Sequence, residues 1–335
     1  MATTLKEIAN RAGVSVMAVS AVMNKTTSTR VSERKRAVIE QIAREMGYRS
    51  NVVARTLRGG ESRMIGILID SCAPPWLYNI LRHIESEATA GGYRILISEG
   101  HDSVDNLAAA YEKFEQYGVD GVICLAYDYP GQQEKFREHF GDKNNILLVG
   151  SYDESMLPQI YLDLEPAWLE AVRYFRSHGR KRIGGIIADL PIWCQQVRIS
   201  LFRKICRDLK IPELLWHQNY CAEPERYAGE ADRCVREFIR PNGLDAVLAH
   251  SDVFGAFLIS GLARNGLRVP EDVAVIVDDS RDFFAALQPP LACIDHDEKA
   301  IGTQAVRVML KMLRKEPVDH RTLIPCHLIL RESAG

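Results

Sequence analysis

Hydrophobic positions follow two different spacings along this chain. In the first sixty residues they recur at helical intervals, as at Ile8, Ala9 and Ala12 and again at Val19 and Val22. The rest of the chain repeats short apolar runs, such as MIGILID, RILIS and DGVICLA, each followed by an amphipathic stretch. The pattern therefore predicts a small helical region followed by a larger region in which strands and helices alternate.

The segment from Leu5 to Asn24 predicts two short helices around a tight turn. Thr4 and Glu7 have the spacing of a capping box, in which each side chain bonds the other residue's backbone N–H. Gly13 stands where the chain turns sharply, and Ser15 is placed to cap the second helix. Together these signals are typical of a DNA-binding helix-turn-helix, whose second helix enters the major groove. An ordinary helical hairpin is the alternative.

A third helix is predicted to begin near Ser32 and to run through SERKRAVIEQIAREMGY. Its first turns carry Arg34, Lys35 and Arg36, some of which we expect to meet phosphates while others form a solvated basic face. The next segment, RSNVVARTLRGG, is short for an isolated helix. We interpret it as a hinge helix that folds on DNA, with Leu57 as an apolar wedge in the minor groove.

Charge is divided unevenly along the chain. Residues 1–60 contain eleven Lys and Arg and four Asp and Glu, which gives 11 − 4 = +7. The whole chain carries 42 − 44 = −2, so residues 61–335 carry −9. A polyanion is attracted to the first region and repelled by the second, which favours nucleic-acid binding at the amino-terminal end.

Beyond Met64, two series of strand–helix repeats predict parallel sheets covered by helices on both faces. The second series begins after Asp163. Two such lobes suggest a ligand between them, beyond the carboxyl ends of the strands. The side chains that follow strands and could meet it are Trp76, Leu77, Trp193, Arg198, Ser251, Asp252, Asp278 and Asp279.

Several protein classes are disfavoured by missing patterns. The sequence has no G-x-G-x-x-G or Walker A string, so no nucleotide cofactor is expected. None of its eight cysteines forms a C-x-x-C pair, so we expect reduced cysteines and no metal site. No run of about 18 apolar residues occurs, and MATTLKEIAN lacks the apolar stretch of a signal peptide. We therefore expect a cytoplasmic protein with no membrane partner.

The chain resembles the lactose-repressor (LacI/GalR) family of bacterial transcriptional regulators. The motifs TLKEIANRAGVS, AVSAVMN, VSERKR, MGY and VARTLR carry the resemblance in the first sixty residues, and HGRKRIGGI, GLRVPEDVAVIVDD and PPLACIDHDEKAIG carry it more loosely beyond them. It implies a helix-turn-helix headpiece (1–48), a hinge helix (49–60) and a two-lobed, periplasmic-binding-protein-like α/β body (61–335) with two Rossmann-like parallel sheets. Lobe one is expected at about 61–161 plus 292–322, and lobe two at about 162–291 plus 323–335.

The resemblance also implies which residues meet DNA. The positions of Val16, Met17 and Ala21 read base edges, and Leu57 wedges into the operator centre. All three reading positions are apolar here, so we expect contacts with thymine methyl groups and readout of DNA shape. The full predicted set is Thr4, Ser15, Val16, Met17, Ser20, Ala21, Asn24, Arg34, Asn51, Ala54, Arg55 and Leu57.

For the effector, the resemblance implies contacts from Arg198, Asp252 and Asp279, which suit a hydroxyl-rich ligand. Trp76, Leu77 and Trp193 complete the predicted effector set. The chain departs from the family pattern at Ser251, Val277, Asp278 and His296. Other interpretations stay open at this point: Arg198 as a structural ion-pair partner, Asp278 as a solvated carboxylate, and Trp168 and Trp216 as packing residues.

The sequence therefore predicts a ligand-responsive repressor rather than an enzyme. It is expected to bind a palindromic operator as a homodimer, because one helix-turn-helix reads only a half-site. No leucine-rich heptad tail follows Arg331, which favours a dimer over a tetramer. The expected effector is a small molecule, most readily a sugar, that changes lobe closure. The alternatives are an enzyme, or a solute-binding protein, fused to a DNA-binding segment.

Overall fold

A computed structural model describes residues 3–23, 31–48, 61–69, 75–100, 103–125, 131–150, 157–189, 193–219 and 226–335. The chain divides into two units, Met1–Ser62 and Arg63–Gly335. The predicted hinge helix at 49–60 lies outside the described residues, as do Asn24, Asn51, Ala54, Arg55 and Leu57 of the predicted DNA-binding set. The side chains of Trp193 and Asp252 also lie outside them.

The described residues of the first unit form three helices, α1 (Leu5–Ala12), α2 (Val16–Met23) and α3 (Glu33–Glu45). The capping box is present: Thr4 Oγ1 accepts the N–H of Glu7 at 3.3 Å, and Glu7 Oε2 accepts the N–H of Thr4 at 2.7 Å. Gly13 ends α1 with a φ of +62°, a conformation that glycine adopts without steric cost. Ser15 Oγ accepts the N–H of Ala18, so the second predicted cap is also confirmed.

One apolar cluster holds these three helices together. Its buried members come from the predicted helical spacing and are Ile8, Ala9, Val19, Val22, Ile39 and Ala43. The small Ala9 side chain lets α1 and α2 approach closely. The predicted helical region is therefore confirmed, with a core large enough to fix the orientation of α2.

Within its described residues, the second unit contains two six-stranded sheets. Sheet one consists of β1 (Met64–Ile69), β2 (Arg94–Glu99), β3 (Gly121–Cys124), β4 (Ile146–Val149), β5 (Gln159–Asp163) and β11 (Arg321–Pro325), in the spatial order β11-β5-β4-β3-β1-β2. Sheet two consists of β6 (Ile183–Ala188), β7 (Leu215–Gln218), β8 (Ala246–His250), β9 (Ala274–Asp278), β10 (Ala292–Asp295) and β12 (His327–Ile329), in the order β12-β10-β9-β8-β6-β7. All pairings are parallel except that of β10 with β12.

Helices cover both faces of each sheet, as the alternation predicted. The helices of sheet one are α4 (Pro75–Ala90), α5 (Val104–Gln116), α6 (Gln133–Phe140) and α11 (Glu298–Leu313); those of sheet two are α7 (Leu164–Ser177), α8 (Trp193–Leu209), α9 (Tyr227–Cys234) and α10 (Asp252–Arg264). Each sheet is sandwiched between two buried apolar clusters, one on each face. Among the helices described, none is long and apolar enough to cross a membrane.

The predicted lobe boundaries need correction at two places. Strand β10 was expected in lobe one, but it pairs with β9 and belongs to sheet two. The whole of β11 pairs with β5 in sheet one, although its last residues were expected in lobe two. The chain therefore crosses between lobes after Asp163, between Asp295 and Glu298, and at Cys326. Apolar spacing could not reveal these points, because it does not show which sheet a strand joins.

Candidate functional site

The first turn of α2 presents two apolar side chains to solvent. Met17 is 72% exposed and Val16 is 44% exposed, whereas Val19 and Val22 face the core from the opposite side of the helix. Ala21 is only 3% exposed. The expectation that Ala21 reads a base therefore disagrees with the structure, because its methyl group lies inside the headpiece.

The other described members of the predicted DNA-binding set differ in exposure and in the hydrogen bonds that they already make. The hydroxyls of Thr4 and Ser15 cap α1 and α2, so each lies at a helix amino terminus. Ser20 is half-buried, and Arg34 is exposed in the first turn of α3. Helix amino termini and an exposed guanidinium are features that phosphates bind.

In the second unit, charged side chains converge at the carboxyl end of sheet two. His250 and Asp278 end the neighbouring strands β8 and β9, and they are partners in the strand register. Asp279 follows directly, Arg198 projects from α8, and His296 lies on the crossover between β10 and α11. We call these five residues the ionic cluster. Their convergence follows from parallel pairing, which places the ends of successive strands at one edge.

The ionic cluster is closely connected and buried. Arg198 Nε donates to Asp278 Oδ2 at 2.7 Å, and His296 Nε2 donates to Asp278 Oδ1 at 2.9 Å. His296 Nδ1 lies 3.0 Å from Asp279 Oδ1, so the imidazole bridges both carboxylates. Asp278 is fully buried, and Arg198 and His296 are each 6% exposed. The bridging geometry requires a protonated imidazole, since both ring nitrogens must donate.

The electrostatics agree with that protonation state. Burial opposes charge on His296, but attraction by Asp278 and Asp279 outweighs burial and raises the pKa of His296 to about 10. Burial likewise pushes the pKa values of the two carboxyls upward, yet Arg198 and His296 hold that of Asp278 below its usual range, and His296 does so for Asp279. The cluster thus pairs two cations with two anions.

His250 behaves differently from His296. Burial and the positive charge of Arg198 lower the pKa of His250 to about 4, so its ring is neutral near neutral pH. Its Nε2 lies 4.0 Å from Asp279 Oδ2, which is too long for a direct hydrogen bond. His250 therefore adds a polar ring to the cluster without adding charge.

A further ion pair lies beside the cluster and joins the two lobes. Arg281 follows β9 in lobe two, and its Nη1 donates to Glu298 Oε1 at 2.8 Å. Glu298 begins α11 in lobe one, where Asn79 of α4 also bonds its carboxylate. Burial raises the pKa of Glu298 despite these partners. Both ends of this crossover are therefore bonded to the region at the end of β9: His296 bonds Asp278 and Asp279, and Glu298 bonds Arg281.

Several effector predictions change in view of this geometry. Leu77 is buried in the core of lobe one rather than at the lobe edge, and Trp76 packs partly against the same core. Asp278 is buried and paired, so the solvated interpretation is wrong. Arg198 has the ion-pair interaction that sequence analysis left open, with Asp278 as its partner.

The two tryptophans interpreted as packing residues do pack. Trp168 is buried in the core of lobe two. Trp216 is half-buried, with its ring centroid 5.6 Å from that of Phe238, and the Arg233 guanidinium lies 4.7 Å from the Trp216 ring centroid.

His250 and His296 are the two members of the ionic cluster that sequence reasoning missed. Each lies at the carboxyl end of a buried strand: His250 ends β8, and His296 follows β10. That position is the signal that could have found them, because the ends of neighbouring parallel strands meet at one edge of the sheet.

Comparison with known proteins agrees with this architecture. Residues 4–51 match the family described as "Bacterial regulatory proteins, lacI family", and residues 172–334 match the "Periplasmic binding protein-like domain". The transcriptional repressor PurR of Pasteurella multocida is 27% identical over 336 residues, which cover 98% of each chain. The repressor CytR of Escherichia coli is 28% identical over 339 residues, which cover 99% of this chain and 96% of CytR.

Solved structures share the fold. A lac repressor dimer bound to operator and the anti-inducer ONPF has a TM-score of 0.86 and 22% identity, covering 100% of this chain and 99% of that chain. A complex of the regulator CelR with cellobiose has a TM-score of 0.67 and 22% identity, with 99% of both chains covered. This chain therefore has an amino-terminal helix-turn-helix region that matches the lacI family of bacterial regulatory proteins, followed by a two-lobed body that matches the periplasmic-binding-protein-like domain.

Proposed function

We propose that this chain is a transcriptional repressor that binds a palindromic operator as a homodimer and responds to a small molecule held between its lobes. The observation that carries the proposal is the exposed start of α2, where Val16 and Met17 point outward from the headpiece. The +7 charge of residues 1–60 supplies attraction to phosphates. The names of the PurR and CytR relatives, both repressors, support the same conclusion.

Operator reading would rely on shape and thymine methyl groups. Val16 and Met17 cannot form the paired hydrogen bonds that identify guanine or adenine, but they can pack against methyl groups in the major groove. Arg34 and the helix amino termini at Thr4 and Ser15 would position the headpiece on the backbone. The proposed contact set therefore keeps the exposed members of the predicted set and leaves out Ala21.

The test uses operator DNA selected from a random pool and fluorescence anisotropy. Met17→Ala is expected to weaken operator binding by about 5–10-fold, as for one lost base contact, while binding to unrelated DNA stays nearly constant. Val38→Ala removes an exposed apolar side chain from α3 instead and serves as the matched control. Equal losses for both variants, or no sequence preference in the wild type, would contradict the proposal.

The effector would bind at the carboxyl end of sheet two, beside the ionic cluster. The Arg281–Glu298 ion pair joins the two lobes there. A sugar or sugar derivative is the proposed class, supported by the cellobiose complex of CelR. Binding would change lobe closure and hence the affinity for operator. A thermal-shift screen against sugars, sugar phosphates and nucleobases, followed by operator release assays, identifies the molecule.

A further inference from the structure

The cations at the carboxyl end of sheet two are already paired. Arg198 donates to Asp278, and His296 donates one N–H to Asp278 and the other to Asp279. Arg281, in the loop that follows β9, is paired with Glu298. An anion that entered here would meet cations whose charge carboxylates already balance, and it would lie against those carboxylates.

Two of the buried polar atoms that remain can accept hydrogen bonds, the imidazole nitrogen when the other ring nitrogen carries the proton. Gln195 Oε1 and His250 Nδ1 are buried and lack a hydrogen-bond partner within the part of the chain that the structure describes. Gln195 is 5% exposed and precedes Arg198 by three residues, so both project from one side of α8. Asp279 Oδ2 is 4.0 Å from the nearest His250 nitrogen. Buried polar atoms without partners are costly, and a ligand that supplies donors would satisfy them.

We propose that the effector site selects by charge: it accepts uncharged molecules that donate hydrogen bonds to Asp279 and Gln195, and it rejects phosphorylated or carboxylated ones. This inference rests on the proposed function, because it concerns the same effector site. His296 determines the selectivity, since its imidazolium neutralises the second carboxylate and leaves the cluster without net charge. A cluster without net charge does not attract an anionic ligand strongly enough to offset the free-energy cost of desolvating that ligand.

The first test needs no knowledge of the effector. Asp279→Asn removes one anion and leaves the cluster with a net positive charge, whereas Asp282→Asn makes the same charge change at an exposed site. At about pH 6, where His296 is protonated, millimolar inorganic phosphate is compared with chloride at equal ionic strength. Phosphate is expected to raise the melting temperature of Asp279→Asn by about 2–4 °C and to leave the wild type and Asp282→Asn unchanged.

Two results of this test would overturn the inference. One is specific stabilisation of the wild-type protein by phosphate. The other is an Asp279→Asn response no larger than that of Asp282→Asn in a variant whose circular dichroism shows a folded chain.

The second test uses matched ligand pairs that differ only by a phosphate: glucose with glucose 6-phosphate, and adenosine with adenosine 5′-monophosphate. Thermal stabilisation and operator release are expected from uncharged members only, and Gln195→Leu is expected to weaken whichever response is seen by about tenfold, the effect of one lost buried hydrogen bond. Operator release by a phosphorylated member alone would overturn charge selection and leave the repressor function standing. Loss of operator binding itself would instead contradict the repressor function.

Discussion

His296 has both ring nitrogens bonded to carboxylates, and this makes its protonation part of the stability of lobe two. Its pKa is raised from an unfolded value of 6.5 to about 10, so the folded state holds a proton that the unfolded state releases. The stabilisation is complete below about pH 6.5 and is lost as the pH rises through about 10.

We therefore expect the free energy of unfolding to fall between about pH 7 and pH 9 in the wild type, and to fall less in His296→Gln. Urea denaturation of the second unit at both pH values measures the difference. Thiol ionisation contributes equally to both proteins, so the comparison isolates His296. An identical pH slope in the two proteins would show that His296 is neutral in the folded state.

Arg198 and Asp278 form a buried ion pair, whereas Arg203 and Glu213 form an exposed pair on the same region of the chain, with side chains 51% and 46% exposed. Arg198→Met leaves a buried carboxylate with one partner fewer and is expected to cost about 3–5 kcal/mol of unfolding free energy. Arg203→Met is expected to cost less than about 1 kcal/mol. Denaturant titration of both variants checks this, and similar small losses would mean that water reaches Asp278.

At the scale of elements, α11 and α4 approach closely at a glycine. A Cβ at Gly302 would lie 2.6 Å from His83 Cβ and 3.0 Å from the carbonyl oxygen of Ile80. A Cβ added at Gly229 in α9 would instead have no other atom within 4 Å. Helices α11 and α4 can therefore pack backbone to backbone only if residue 302 has no side chain.

Gly302→Ala is expected to destabilise the second unit by about 1–3 kcal/mol, because the added methyl group separates α11 from α4. Gly229→Ala is expected to stabilise it by about 0.5–1 kcal/mol through helix propensity. Thermal unfolding of the two variants gives opposite shifts if the packing is as described. A gain in stability at both sites would contradict the close approach.

The sequence predicted elements best where the signal is local. The caps at Thr4 and Ser15 and the turn at Gly13 follow from side chains within a few residues, and all three are present. The lobe membership of β10 and β11 depends on pairing with distant strands, which local spacing does not record. The ionic cluster was found in part, because the ends of strands are predictable, while the bridging role of His296 depends on the crossover.

At the scale of the whole molecule, two exposed apolar side chains offer a surface for the proposed homodimer. Tyr78 lies exposed on α4, and Ile97 lies exposed on β2, the edge strand against which α4 packs. A proposed dimer that uses the surface of Tyr78 and Ile97 would cover apolar area on lobe one.

Tyr78→Glu is expected to weaken dimerisation by at least about tenfold, because it places a charge in an apolar interface, and to weaken operator binding with it. Tyr117→Glu, at an exposed tyrosine after α5, is the matched control and is expected to leave both unchanged. Sedimentation velocity measures the association state. A wild-type monomer on operator DNA would exclude the dimer.

The three crossings between lobes have a consequence for synthesis of the chain. Sheet one receives its last strand, β11, only when residues 321–325 have been made, although β1 to β5 are complete by Asp163. Neither lobe can therefore be obtained as one continuous fragment, and a nascent chain that lacks β11 exposes the edge of β5 to other chains. Shortening the protein before Arg321 would thus leave both lobes unfinished, whereas removal of residues 1–62 takes away a separate unit.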